Sequence, residues 1–157
     1  MIYMTVKTTA ENIKSRLEAL TEITGQDDKG KDITEKVLDN VVIGDYDTDQ
    51  MPPGKVLSIR AVTEEGHLDY AGPNPPDTPF TVPWHLTLYV SGPISKATLE
   101  VYRIVPLLKD EIIKDMTFNN SCIEASWAKP SVIYDEVMKT TSRMISGARI
   151  IFMTTHD

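Results

Sequence analysis

Histidine, cysteine and clustered carboxylates are the side chains from which most catalytic and metal sites are built. This chain has three histidines, His67, His85 and His156. None has a His, Cys or carboxylate at metal-ligand spacing on the same predicted element. Asp45-Tyr-Asp-Thr-Asp49 copies the first five positions of a calcium loop. Its sixth position is Gln50 rather than Gly, its twelfth is Val56 rather than Glu, and Pro52 and Pro53 interrupt it. Without the bidentate carboxylate the loop lacks its main ligand, so it reads as a solvated acidic turn. Cys122 has no His or Cys-x-x-Cys partner to activate it and reads as a small apolar side chain. Asn119-Asn-Ser121 has glycosylation spacing, but no secretory leader gives it meaning. The glycines are isolated and mark turns, so no phosphate-cradling loop is present. The expectation is a protein that is not an enzyme, with no catalytic residues, metal or cofactor.

Composition points the same way. The chain has 157 residues, 41% of them hydrophobic and 25% charged, with a net charge of −7. That length suits one domain that buries roughly 70% of its unfolded surface. A single cysteine excludes an internal disulfide scaffold. No apolar run approaches the roughly 20 residues of a membrane span, so no membrane partner is expected. An acidic chain is poorly suited to wrapping nucleic acid, which calls for Lys and Arg clusters.

Two helices and a set of strands must position whatever the protein uses. Thr8 and Glu11 have capping-box spacing, and Ile13, Leu17, Leu20 and Ile23 continue a helical pattern that Gly25 stops. Gln26–Asp32 reads as a polar loop, and Asp32 with Glu35 as the cap of a short turn. Asn40–Gly44 is a short strand, Lys55–Val62 a strong one, and Gly66–Ala71 a third. Trp84–Val90 alternates cleanly, with Trp84, Leu86, Leu88 and Val90 on one face. A second helix starts after Pro93, with Ser95 as cap, and runs to about Asp115. Its apolar stripe is Ala97, Val101, Ile104, Val105, Leu108 and Ile112. Pro106 removes a hydrogen bond inside it and predicts a kink. Strands at Cys122–Trp127, Val132–Met138 and Ala148–Thr154 close the chain. The order predicts a single α+β domain, a mainly antiparallel sheet with both helices packed on one face.

Five of the ten prolines lie between Gly72 and Pro83, inside an irregular arm at about 63–83. A proline-rich loop loses little entropy when it is ordered against a partner, so the arm reads as a contact surface. The expected interface residues are Leu68, Tyr70 and Phe80 on the arm, with Trp84 and Trp127 as further anchors.

This layout resembles the tail-terminator (tail-completion) proteins of long-tailed bacteriophages. The similarity covers nearly the whole chain and rests on an N-terminal amphipathic helix, the Lys55–Val62 strand, the irregular arm and the Trp84–Val90 strand. It continues through the proline-containing second helix to the closing strands Val132–Met138 and Ala148–Thr154. Arg103-Ile-Val-Pro106 is similar to an Arg-Ile-aromatic-Pro segment of the lambda-phage member, with Val105 in place of the aromatic residue. The resemblance implies a virion structural protein, made in the host cytoplasm and located at the tail–neck junction. It implies a self-assembled hexameric ring that caps the tail tube protein, stops its polymerisation and meets the head-completion protein. DNA would pass through the ring without sequence-specific binding. Two other classes stay open: another head–tail joining or neck protein of similar fold, and a small-ligand-binding or enzymatic α+β domain.

Overall fold

In the computed structural model of the protein, residues 2–44, 50–63, 65–66, 79–139 and 144–156 are described. Their elements run α1 (Ile2–Glu18), β1 (Thr21–Gln26), β2 (Asp32–Lys36), β3 (Asn40–Ile43), β4 (Lys55–Ala61), β5 (Glu65–Gly66), β6 (Phe80–Ser91), α2 (Ile94–Ile113), β7 (Glu124–Lys139) and β8 (Met144–His156). The main sheet has the order β3-β4-β6-β8-β7, with β5 beside the start of β6. The β3–β4 pair is parallel and the other pairs are antiparallel. A separate two-stranded sheet joins β1 to β2. The α+β class and the packing of both helices on one sheet face are as the sequence predicts.

The core forms where period-2 and period-3.6 patterns meet. Phe80, Val82, Trp84, Leu86, Leu88 and Val90 of β6 face inward beside Leu57 and Ile59 of β4 and Ala148, Ile150 and Phe152 of β8. The stripe Ala97, Val101, Ile104, Val105, Leu108 and Ile112 of α2 covers them, and Ala10, Ile13 and Leu17 of α1 fill the remainder. A smaller cluster, Met51, Val56, Tyr89 and Ile145, lies on the other face. α2 passes through Pro106 without interruption and starts after Pro93 with no side-chain cap, so Ser95 does not cap it.

Several local expectations need correction. α1 begins before Thr8, so the Thr8–Glu11 pair lies inside the helix rather than at its start. The helix ends at Glu18, well before Gly25. Thr21-Glu-Ile-Thr is rich in β-branched residues and pairs with Asp32–Lys36 as a hairpin. Asp27 shapes the turn: its Oδ1 accepts the Lys29 and Lys31 amides, both at 2.9 Å, and Gly30 takes φ +75°. Cys122–Trp127 and Val132–Met138 join into one strand, β7, whose register shifts twice against β8.

β6 begins at Phe80, inside the expected arm. Pro83 sits in this central strand opposite Met153, and its carbonyl accepts the Val62 amide at 2.9 Å. A residue's N and C=O point to the same side of a strand, so the proline nitrogen also faces the side where β4 has already ended. The ring therefore costs no bond to β8.

Candidate interaction surfaces

The expected interface residues divide three ways. Leu68 and Tyr70 lie outside the described residues, as do His67 and Asp45–Asp49. Phe80 and Trp84 belong to the core rather than to a partner surface. Phe80 stacks on His156 with ring centroids 5.3 Å apart, and Trp84 is 1% exposed. Their positions on the inward face of β6 leave them no route to a partner. Trp127 is half-buried, edge-on to Phe152 at 6.1 Å, with the Lys109 ammonium 4.7 Å above its ring. It stands beside the surface groove described below.

His156 is buried, its Nε2 2.7 Å from Thr154 Oγ1 and its Nδ1 3.2 Å from the Ser121 carbonyl. A carbonyl only accepts, so Nδ1 carries the proton and Thr154 donates to Nε2. The Trp84 indole donates to the same Thr154 oxygen at 2.8 Å, and Thr9 reaches Ser121 Oγ at 2.7 Å. This buried network ties α1, β6, β8 and the turn after α2 together. His85 lies on the helix-free face; burial first, then Arg149 and Arg60, lower its pKa from 6.5. Burial, with Asp115 and Glu124 nearby, pushes the Cys122 thiol up to about 11, which keeps it protonated at neutral pH. Among the described residues there is no group of three or more His, Cys, Asp or Glu able to hold a metal, and no helix is long and apolar enough to cross a membrane.

The turn after α2 is held from several sides. Phe118, Asn119 and Asn120 all have positive φ, 49°, 59° and 61°, which is costly for a residue such as phenylalanine. Asp115 offsets this by accepting from the Thr117 hydroxyl at 2.6 Å and from the Thr117 and Asn119 amides at 2.9 Å. These bonds, with Arg16 nearby, hold its carboxyl down at about 2. Arg16 donates to the Glu111 and Ile112 carbonyls at the end of α2 and to the Asp115 carbonyl just beyond it, and lies over the Phe118 ring, while Asn12 donates to the Phe118 carbonyl at 2.8 Å.

Two surfaces with exposed apolar side chains stand out among the described residues. The β1–β2 hairpin pairs with no other strand, and Ile23 and Ile33 are 63% and 43% exposed on it. Its base is tied to α2 where Arg103 bridges Glu22 and Glu100, and Lys55 joins Glu100 at 3.7 Å. The second surface is a groove of about 670 Å³ between α2 and edge strand β7. Val105, Pro106, Ile113, Pro130, Val132 and Tyr134 line it, and Lys109 crosses it to reach Ser131 Oγ at 3.1 Å. Leu99, Tyr102, Pro106 and Ile113 make a second, outward stripe along α2, and Tyr102 meets Tyr134 edge-on at 5.4 Å. Their i, i+3, i+7 spacing is legible in the sequence beside the buried stripe, and it is the signal that sequence reasoning missed. Compared with known protein families and with curated protein sequences, the chain matches none.

Proposed function

We propose that this chain is an assembly protein of the tail-terminator type. Six copies close a ring on the end of a bacteriophage tail tube, end its growth and present the ring's other face to a head-completion protein, with DNA passing through the hole. The observation that carries this reading is the presence of two unlike, uncovered surfaces on different sides of α2, the hairpin tied to it at Arg103 and the groove along Pro106, Lys109 and Ile113. The β1–β2 hairpin leads into edge strand β3, and the groove opens at edge strand β7. A cyclic ring requires such a heterologous contact, in which one patch meets a different patch after rotation. The α+β layout also agrees with what the resemblance implies, and the net charge of −7 suits a bore through which DNA slides without sticking. The arm, with Leu68 and Tyr70, is the proposed grip on the tube.

The test adds the protein to polymerising tube protein of the same virus and measures tube length by electron microscopy. Capped tubes of uniform length under a six-fold ring are expected. Overlong tubes, or a ring of another symmetry at the tube end, refute the reading. Replacing residues 67–78 with a short glycine linker should leave the melting temperature within a few degrees while capping fails. If tails still terminate normally, the arm is not the grip.

A further inference from the structure

We propose that α1 is a strap over the end of α2, and that α1 and the turn at residues 114–122 open and close as one unit while the main sheet stays formed. The strap works in this way whether or not the chain forms rings. Thr9, Asn12 and Arg16 stand at i, i+3 and i+7 on one face of α1, and all three bond to one segment, residues 111–121. Thr9 reaches the Ser121 hydroxyl at 2.7 Å, Asn12 the Phe118 carbonyl at 2.8 Å and Arg16 the Asp115 carbonyl at 2.7 Å. Arg16 donates to the Glu111 and Ile112 carbonyls as well.

A helix leaves its last carbonyls without partners inside the helix, and a cation placed there is favourable. α2 has no basic residue in its last turn, and Lys114 just beyond it is turned to the Glu111 carboxylate at 2.9 Å. The guanidinium on the α2 carbonyls comes instead from α1, 95 positions earlier in the chain. The turn that follows has the same dependence. Phe118, Asn119 and Asn120 are three consecutive left-handed residues, a conformation kept only where the surroundings hold it. α1 holds the segment at the Phe118 carbonyl and at Ser121. The sheet has its own support: β6 and β8 pair along the whole of β6, so these bonds stay when α1 leaves. α1 adds only Ala10, Ile13 and Leu17 to the buried core, and segments with few buried apolar contacts open before the centre of a sheet does.

Native-state hydrogen exchange on the full chain, followed residue by residue by NMR at low urea concentrations, tests the strap. The amides of Ile13–Leu17 and those of Thr117, Asn119 and Ser121 should share one opening constant. It should exceed that of Leu86–Val90 and Ala148–Phe152 by about ten-fold or more. Two variants then perturb the unit from opposite sides. Arg16→Met removes the donors that α1 brings to the end of α2, and Asn120→Ala puts a less tolerant residue at φ 61° in the turn. Each should raise the opening constant of both segments by the same factor, because coupling between two sites is reciprocal. Unequal opening constants in the two segments, a response confined to the mutated segment, or one constant shared with β6 and β8 each overturns the proposal. The first comparison needs only the wild-type chain, so it decides even where a variant does not fold.

Discussion

Thr154→Val is the sharpest test of the buried network. Valine matches threonine in size, so the exchange opens no cavity and isolates the hydroxyl. That hydroxyl accepts from the Trp84 indole at 2.8 Å and lies 2.7 Å from His156 Nε2. Both rings belong to residues only 1% exposed, so water does not replace what is lost. A buried polar group left without its partner costs about 1–3 kcal/mol, and the two losses share one atom and relax together. The expected destabilisation is about 2–4 kcal/mol, read as a melting temperature lower by about 5–15 °C for a chain of this length. Urea unfolding, followed by tryptophan fluorescence and circular dichroism, should show a lower midpoint with an unchanged slope. Thr154→Ser keeps the hydroxyl and should lose less. A cycle with His156→Phe should show coupling, since that change removes one of the two partners. A loss for Thr154→Val under about 0.5 kcal/mol would refute the argument that the network is closed and dry.

Leu108→Ala removes a fully buried side chain at the centre of the α2 stripe and should cost about 2–5 kcal/mol in the same urea assay. Gly54→Ala should cost at least about 1 kcal/mol, because φ is +100° there and an added Cβ would collide with the Asp39 carboxylate, which accepts the Lys55 amide. His85 has a lowered folded pKa, so its effect on stability is absent above about 6.5 and grows as pH falls below that, where the unfolded chain takes up the proton first. Melting curves of His85→Gln and wild type should therefore keep a constant offset above that pH, and wild type should lose ground below it. Asp115 has the opposite charge type and a folded pKa of about 2 against an ordinary 3.8. Its stabilisation is complete above about 3.8 and is lost as pH falls through about 2, so the melting difference between wild type and Asp115→Ala should shrink over that window.

The sequence carried the core more clearly than the surface. The α2 stripe was legible to the residue because six apolar positions at helical spacing have one physical solution, burial against a sheet. Trp84–Val90 was equally clear, and the same alternation extends back through Val82 to Phe80. The prolines hid that extension, since Pro83 is tolerated only because β4 ends beside it, a tertiary fact. The β1–β2 hairpin was missed because Ile13, Leu17, Leu20 and Ile23 continue a helical spacing by coincidence across the end of α1. The Asp27 turn with Gly30 was the competing local signal. Trp127 was singled out as an anchor, yet the groove beside it depends on α2 and β7 coming together, which no spacing within either element reveals. The link from Thr9 to Ser121 spans 112 positions and has no local signature at all.

The sheet order has a consequence for how the protein is made. β8 is the last of these elements to leave the ribosome, yet it lies between β6 and β7. Until it emerges, β7 has no partner strand, β6 presents a twelve-residue open edge, and the inward rings of Phe118 and Trp127 have no Phe152 to meet. The nascent chain can pair β4 with β6 and lay α2 across them, but the sheet closes only after synthesis has passed His156. Assembly of the native sheet is thus deferred until β8 has been made, and the exposed edges of the unfinished sheet are natural sites for chaperone binding or for mispairing between neighbouring nascent chains. A stop before β8 removes an interior strand rather than an edge one, leaving β7 with no neighbour in the sheet.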